Sequence, residues 1–257
     1  MLESLKLFDL SGRRALITGS SQGIGQALAQ GLAGAGAAII LNGRDQAKLG
    51  QAAETLRASG AKVETLAFDV TNHAAARAAV DGFEASQGAI DILINNAGMQ
   101  HRAPLEEFPP EAFETLLATN VSSVFNVGQA VARHMIRRGT GKIINIASIQ
   151  TALARPSIAP YTAAKGAVGN LTKGMATDWA KHGLTVNAIA PGYFDTPLNA
   201  ALVADVTFSD WVSKRTPAGR WGRLPDLVGA AVFLASDASA FVNGHILYVD
   251  GGMSICL

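Results

Sequence analysis

The hydrophobic positions of the chain fall into short continuous runs that are separated by longer stretches of mixed polarity. Continuous apolar runs of this length are typical of strands that are buried on both faces of a sheet. We therefore predict seven strands, at RALIT (14–18), AAIIL (37–41), VETLAF (63–68), IDILIN (90–95), KIINIA (142–147), LTVNAIA (184–190) and HILYV (245–249).

Helical patterns fill the intervals between these runs. When a helix connects two strands of one sheet, it crosses over a face of the sheet, and the second strand then runs parallel to the first. The alternation therefore predicts an α/β fold with a doubly wound, seven-stranded parallel sheet and helices on both faces. The predicted helices cover residues 23–34, 45–59, 72–87, 111–138, 160–182 and 225–236.

One interval, 191–224, interrupts the alternation. It carries Pro191, Gly192, Pro197, Pro217 and Gly219 between a strand and the next helix. An interruption of this length on a compact domain is often a substrate loop or lid, with surface decoration as the alternative. Elsewhere no repeat, low-complexity segment or proline-rich linker divides the chain, so we predict a single domain over residues 1–257.

Charge and cysteine content exclude several classes of function. Lysine and arginine total 21 against 20 acids, a net charge of +1, so no basic surface is available to bind nucleic acid. The single cysteine, Cys256, excludes an intramolecular disulfide and fits a reducing compartment. We find no signal-peptide pattern and no apolar run of 18 residues, and therefore expect a cytoplasmic protein without a membrane partner.

A glycine-rich turn follows the first predicted strand directly and opens the first helix. In TGSSQGIG the glycines are Gly19, Gly23 and Gly25, and no Lys-Ser/Thr pair follows, which excludes a P-loop. Glycines allow a tight turn and a close approach of the backbone, and the amides at a helix N-terminus attract a pyrophosphate. The position of the turn favours a nucleotide site over a simple helix cap.

The end of the second predicted strand indicates which nucleotide binds. A cofactor with a free ribose 2′-hydroxyl usually meets an acid at this position, but here Asn42, Gly43 and Arg44 follow the strand. A guanidinium suits a 2′-phosphate, although an exposed arginine that begins a helix is the alternative. Asp45 is expected to cap that helix. We predict NADP as the cofactor, with NAD as the weaker alternative.

A second set of polar residues follows the fifth predicted strand. Ser148 ends KIINIAS, where ligands bind in open α/β sheets, and it is placed to donate a hydrogen bond to a substrate oxygen. Tyr161 and Lys165 stand four residues apart and share one face of a helix. A nearby ammonium lowers the pKa of a phenol from about 10 toward a range useful for proton transfer. The order of serine, loop and Tyr-x-x-x-Lys therefore predicts a catalytic centre.

These motifs together resemble the short-chain dehydrogenase/reductase family over essentially the full chain. The resemblance implies a Rossmann-type fold and hydride transfer between a nicotinamide and a carbonyl or carbinol carbon. The matching motifs are TGSSQGIG, FDV (68–70), NNAG (95–98), YTAAK (161–165), PG (191–192) and Thr196.

The resemblance also implies roles for individual residues. Tyr161 is expected to be the general acid and base, with Lys165 lowering its pKa and holding the nicotinamide ribose. Ser148 would orient the carbonyl group, and Asn120 in LLATNVSS would hold a water of the proton relay. Gln22 departs from the family, because members that prefer NADP often carry a basic residue there. The expected cofactor contacts are Gly19, Ser21, Gln22, Gly23, Ile24, Gly25, Arg44, Asp69, Val70, Asn96, Ala97, Gly98, Tyr161, Lys165, Pro191, Gly192 and Thr196.

Four stretches (95–108, 151–183, 190–222 and 241–252) resemble the members of this family that interconvert D-gluconate and 5-keto-D-gluconate. A sugar acid requires a cation for its carboxylate and polar groups for its hydroxyls. We expect one of two arginines to bind the carboxylate and two further residues to contact hydroxyls, beside the reacting centre at Ser148 and Tyr161. The arginines are Arg102 and Arg155, and the hydroxyl contacts are Gln150 and Tyr193.

Several alternatives remain at this point. The same motifs are compatible with oxidation of 2-deoxygluconate at C3, with reduction of a 3-oxoacyl thioester, and with a non-catalytic nucleotide-binding protein. The five histidines are dispersed without metal-ligand spacing, so no metal site is predicted. The resemblance implies a homotetramer, with the helices near 111–138 and 160–182 in one interface and the C-terminal strand and helix in another.

Overall fold

The computed structural model describes residues 3–256 and contains one seven-stranded sheet. All neighbouring strands are parallel, in the order β3-β2-β1-β4-β5-β6-β7. The doubly wound fold that the sequence predicts is therefore confirmed. The strands are β1 (Arg14–Ile17), β2 (Ala38–Leu41), β3 (Val63–Thr65), β4 (Ile92–Asn95), β5 (Gly141–Ile146), β6 (Leu184–Pro191) and β7 (Ile246–Val249).

Ten α-helices are present in the described part of the chain, and their ends follow local sequence signals. The Asp45 carboxylate accepts hydrogen bonds from the amides of Ala47 and Lys48, as predicted for the cap of α3. The helices are α1 (Glu3–Lys6), α2 (Gly23–Gly34), α3 (Gln46–Ala58), α4 (His73–Ser86), α5 (Pro110–Leu117), α6 (Ser123–Arg138), α7 (Ala159–Trp179), α8 (Ala200–Ala204), α9 (Val206–Arg215) and α10 (Val228–Ala235).

The core forms two layers, one on each face of the sheet. Successive residues of a strand point to opposite faces, so Ile17 packs in the layer of α2, α3 and α10, whereas Leu16 packs in the layer of α4, α6 and α7. The strand order reverses between β1 and β4, and in open α/β sheets a ligand cleft forms beyond the carboxyl ends of the strands at this point.

The structure differs from the sequence-based prediction at three places. The interval 191–224, predicted as a loop, contains α8 and α9, and Asp205 caps α9 by accepting a hydrogen bond from the amide of Phe208. The helix predicted over 111–138 is divided by a π-helical turn at Ala118–Ser122. The edge strand β3 ends at Thr65, three residues earlier than predicted. Between residues 3 and 256, no helix combines the length and the apolar composition needed to cross a membrane.

Candidate active site

The turn after β1 has a conformation that requires glycine. Gly19 and Gly23 have φ values of +61° and +60°, and a Cβ on Gly19 would lie 2.9 Å from the Cα of Ala97. Gly25 is different, because it lies behind the turn, where a Cβ would be 2.5 Å from the Asn96 side-chain nitrogen. This close fit gives Gly25 a packing role that brings α2 close to the turn, and its contact with the cofactor stays a prediction.

A cavity of about 630 Å³ begins at this turn and continues along the carboxyl ends of the strands. Every predicted site residue except Gly25 lines it, so the fold brings together side chains that are distant in sequence. The glycine turn and Arg44 lie at one end, and Ser148, Tyr161 and Lys165 at the other. The volume and the glycine cradle fit a nicotinamide dinucleotide.

The end of the cavity near β2 carries the positively charged side chain of Arg44. It lacks an acid at the position that would meet a ribose 2′-hydroxyl. Asn42 is buried there, and its side-chain nitrogen donates to the carbonyl oxygens of Leu66 (2.9 Å) and Phe68 (3.2 Å). The Arg44 side chain is 77% exposed and lies 3.8 Å from the Asp69 carboxylate. This guanidinium is therefore accessible to an anion bound in the cavity.

Tyr161 and Lys165 project from the first two turns of α7 toward the end of β5. The Lys165 ammonium lies 5.6 Å from the centroid of the Tyr161 ring and donates to the carbonyl oxygen of Ile146 at 2.7 Å. Burial lowers the pKa of Lys165 to about 8. Burial also raises the pKa of Tyr161, and a hydrogen bond with Ser148 and the charge of Arg102 oppose this increase.

The net direction of the Tyr161 pKa is upward, and the expected lowering of this pKa by Lys165 stays a prediction. The physical reason for the upward direction is that the phenolate loses hydration in the buried site, and this loss outweighs the opposing interactions. Ser148 is oriented separately, because its hydroxyl oxygen accepts a hydrogen bond of 3.2 Å from the amide of Gln150. The three side chains nevertheless meet at one end of the cavity.

Asn120 lies in the π-helical turn between α5 and α6, and π-helical turns often mark functional sites. Its side-chain oxygen accepts from the amide of Met99 (2.8 Å), and its nitrogen donates to the Met99 carbonyl oxygen (2.9 Å). The side chain therefore holds the segment after β4 in place. The role of Asn120 in a proton relay stays a prediction.

The opposite wall of the same end carries positive charge. Arg102 and Arg155 line it, whereas the carboxylates among the described lining residues, Asp45 and Asp69, are at the other end of the cavity. Burial and the charge of Arg155 lower the pKa of Arg102. Three buried polar atoms there lack a hydrogen-bond partner within residues 3–256, namely Gln150 Oε1, Arg155 Nε and Tyr193 Oη. This environment suits an anionic, hydroxylated ligand.

Several lining residues were not predicted from the sequence. Met99 and Gln100 directly follow the NNAG motif, so their position in the sequence was a usable signal. Asn199 and Leu202 lie in 191–224 and reach the cavity only through the tertiary fold. Within the part of the chain that the structure describes, no group of three histidine, cysteine or acidic side chains is arranged to hold a metal ion.

The nucleotide turn and the Ser148–Tyr161–Lys165 cluster share one cavity, which places the chain among the nicotinamide-dependent oxidoreductases. Residues 19–254 match a family model described as enoyl-(acyl carrier protein) reductase. The chain is 61% identical over 251 residues to the gluconate 5-dehydrogenase of Gluconobacter oxydans (strain 621H), with 98% of each chain covered. It is 50% identical to the 5-keto-D-gluconate 5-reductase of Escherichia coli (strain K12), covering 98% of this chain and 99% of that protein.

A solved structure of a gluconate 5-dehydrogenase is also similar to this chain. The gluconate 5-dehydrogenase of Burkholderia cenocepacia J2315, determined in complex with NADP and tartrate, matches with a TM-score of 0.97 at 59% identity. The match covers 99% of this chain and 100% of that chain. The chain belongs to the short-chain dehydrogenase/reductase family.

Proposed function

We propose that the protein is an NADP-dependent oxidoreductase that interconverts D-gluconate and 5-keto-D-gluconate. The observation that carries this proposal is the pair of arginines, Arg102 and Arg155, on the cavity wall close to Tyr161. An anionic polyol is the substrate class that this wall recognises. The activities named for the relatives with 61% and 50% identity support the same class and the 5-position.

The residues of the cavity fit the cofactor at both ends. The amides of the turn at Gly19 and Gly23 would hold the pyrophosphate, and Arg44 would hold the 2′-phosphate. Lys165 would hold the nicotinamide ribose, and Pro191, Gly192 and Thr196 line the cavity wall near Tyr161. When bound, the nicotinamide supplies the hydride in reduction and accepts it in oxidation. The NADP complex of the Burkholderia relative supports NADP over NAD.

Tyr161 moves the proton. In reduction its phenol donates a proton to the carbonyl oxygen, and in oxidation its phenolate accepts one from the hydroxyl group. Ser148 donates a hydrogen bond to the same oxygen, where negative charge develops. The raised pKa of Tyr161 keeps the phenol protonated at neutral pH, which is the form that reduction needs.

Arg102 is the better placed of the two arginines to bind the carboxylate. Within the described residues its guanidinium makes one long hydrogen bond, 3.4 Å to the side-chain oxygen of Asn199, so most of its donors remain for a ligand. Gln150 and Tyr193 line the same end of the cavity, and each carries a buried oxygen atom without a hydrogen-bond partner, so they would contact substrate hydroxyls. A long acyl chain would leave these polar groups desolvated without partners, which disfavours a thioester substrate.

The test is the initial rate of NADPH oxidation with 5-keto-D-gluconate, measured beside NADH and beside an acetoacetyl thioester. We expect turnover with NADPH and the ketogluconate, and loss of at least about a thousandfold in kcat for Tyr161→Phe with NADPH binding retained. Turnover of the thioester alone would transfer the assignment to a thioester reductase. Turnover of 2-deoxygluconate but not D-gluconate would transfer it to oxidation at C3.

We also propose that the chain assembles as a cytoplasmic homotetramer. The exposed side of α7 presents small residues, including Ala163 and Ala167, whereas Ala164 and Gly169 pack inward, so a partner helix has room to approach closely. Phe125 on α6, the other helix expected in this interface, is 45% exposed. Sedimentation or light scattering on wild type and Ala167→Glu tests the assembly, and an unchanged mass for Ala167→Glu would contradict this interface.

A further inference from the structure

The segment that follows β6 contains a compact group of aromatic side chains. The Tyr193 ring lies at the centre, with the rings of Phe208, Trp211 and Trp221 at centroid distances of 5.6, 5.9 and 5.7 Å. All three contacts are edge-to-face, which is a favourable arrangement for aromatic rings. We call these four residues the aromatic cluster. It joins the end of β6 to α9 and carries Tyr193 on the cavity wall.

Arg155 connects this cluster to a different part of the fold. It belongs to the connection between Ser148 and Tyr161, and its guanidinium carbon lies 5.3 Å from the centroid of the Phe208 ring. A guanidinium over an aromatic face is attracted by the ring. Arg155 also interacts with the phenol of Tyr193, where it opposes the increase in pKa, and it donates a hydrogen bond of 3.4 Å to the carbonyl oxygen of its neighbour Pro156. Its partners from other parts of the fold are therefore Phe208 and Tyr193, which both belong to the aromatic cluster.

The two arginines of the cavity thus differ in what they contact. Arg102 has no aromatic ring beneath it among the described residues and keeps most of its donors available. The face of Arg155 is occupied by Phe208, and its charge also acts on Tyr193, since it opposes the rise in the pKa of that phenol caused by burial. Arg155 is consequently directed at the aromatic cluster as much as at the cavity.

We propose that Arg155 is a positioning residue, which holds the aromatic cluster and α9 against the substrate cavity through Phe208, while the substrate anion is bound by Arg102. This inference rests on the proposed function for the identity of the substrate. Ser148, Tyr161 and Lys165 lie outside 191–224, so we expect the cluster to act mainly on substrate binding and less on proton transfer. Loss of Arg155 therefore weakens substrate binding and leaves kcat nearly unchanged.

A double-mutant cycle on the NADP-loaded enzyme distinguishes the two roles. We expect Arg155→Ala and Phe208→Leu each to raise KM for D-gluconate about tenfold, with kcat within about threefold of wild type. Because the two side chains act through one contact, the double variant should be no worse than the weaker-binding single variant. Arg102→Ala and Phe208→Leu should instead be additive. Arg77→Ala changes an exposed side chain on α4. It is the matched control and should leave KM for D-gluconate unchanged.

The conservative variants supply an independent readout. An ammonium also interacts with an aromatic face, so Arg155→Lys should retain KM within about threefold. An ammonium lacks the fork geometry that binds a carboxylate through two hydrogen bonds, so Arg102→Lys should not restore the KM for D-gluconate. The pH profile of kcat should be the same for Arg155→Ala and wild type, because Tyr161 is untouched.

Amide hydrogen exchange tests the positioning role without any turnover. In the NADP-loaded enzyme, Arg155→Ala and Phe208→Leu should each speed exchange at least about fivefold in α9, residues Val206–Arg215, and leave α4 unchanged. Unchanged exchange in α9, or a KM effect of Arg155→Ala that adds to that of Phe208→Leu, would overturn the proposal and make Arg155 a direct ligand of the anion. Wild-type turnover of D-gluconate tests the proposed function separately, so the two failures are distinguishable.

Discussion

The Lys165 ammonium lies 5.6 Å from the centroid of the Tyr161 ring, but its hydrogen bond, 2.7 Å long, goes to the carbonyl oxygen of Ile146 at the end of β5. The sheet therefore fixes the position of the lysine, and α7 brings the phenol beside it. Burial favours the neutral form of both side chains, since it raises the pKa of Tyr161 and lowers that of Lys165 to about 8. Charging either group has an energetic cost, which makes catalysis sensitive to pH.

The first prediction concerns the pH dependence of the two directions. Oxidation needs the Tyr161 phenolate, and the pKa of this phenol is raised above 10, so the oxidation rate should increase throughout pH 7 to 10. Reduction needs the protonated phenol, so titration of Tyr161 should not lower the reduction rate over the same range. Initial rates in both directions, corrected for the proton in the overall equilibrium, check this. Equal pH optima would contradict tyrosine as the titrating group.

Ser148→Ala should shift the pH dependence of the oxidation rate to still higher pH. The hydrogen bond with Ser148 lowers the pKa of Tyr161, so its removal raises that pKa again. The rising limb of the oxidation rate should therefore move to higher pH, and kcat should fall about a hundredfold because a donor to the reacting oxygen is lost. A limb that moves to lower pH would show that Ser148 acts on Tyr161 in the opposite sense.

The second prediction concerns the glycine turn. At Gly19 an alanine has to adopt a positive φ and places its Cβ 2.9 Å from the Ala97 backbone. We expect Gly19→Ala to lower the free energy of unfolding by about 1–3 kcal/mol and to weaken NADPH binding more than about tenfold. Gly50→Ala in α3 is the control, because a Cβ there meets no atom within 4 Å. It should stabilise the protein by up to about 1 kcal/mol and leave NADPH binding unchanged. Titration of NADPH fluorescence and chemical denaturation measure both effects.

Much of the fold was predictable because its strands are buried on both faces. Continuous apolar runs such as ILIN (92–95) are compatible with few other environments, and the intervening helices impose parallel pairing. The helices α8 and α9 were missed, because they are short and lie in a segment that carries proline and glycine. Local patterns carry little information about such elements.

The site was predictable to the extent that its residues belong to local motifs. Tyr161 and Lys165 are one helical turn apart, so their proximity follows from the sequence. The contact between Arg155 and Phe208 depends on how α9 packs, and the raised pKa of Tyr161 depends on burial. Neither quantity is encoded in a local pattern. The packing role of Gly25 was not predictable for a similar reason, since the spacing of glycines does not show which of them faces the cavity.

The third prediction concerns the choice of cofactor. The Arg44 guanidinium is exposed at the end of the cavity, and the neutral Asn42 occupies the place where an acid would favour NAD. We expect Arg44→Ala to raise KM for NADPH by about 10–100-fold, as charged hydrogen bonds to a phosphate are lost, and to leave KM for NADH within about twofold. Arg44→Lys should raise the KM for NADPH less than Arg44→Ala does, since it keeps the positive charge. Equal losses with both cofactors would contradict contact between Arg44 and the 2′-phosphate.

The last prediction concerns the stability cost of the buried lysine. The pKa of Lys165 is about 8 in the folded protein and 10.5 as its ordinary value, a difference on the order of 3 kcal/mol. The unfolded chain binds this proton more tightly, so the contribution of Lys165 to the free energy of unfolding increases as the pH rises from about 8 to 10.5 and is unfavourable below that range. Lys165→Met removes the charge at nearly constant volume, although the Ile146 carbonyl loses its donor.

We therefore expect Lys165→Met to be inactive and yet more stable than wild type at pH 7, by about 1–3 kcal/mol, with the gain disappearing near pH 10.5. Lys173→Met, on an exposed position of the same helix, is the control and should change stability little at either pH. Urea denaturation at a fixed protein concentration, at pH 7 and at pH 10.5, measures the difference. A variant that is less stable than wild type at pH 7 would show that the hydrogen bond to Ile146 outweighs the cost of burying the charge.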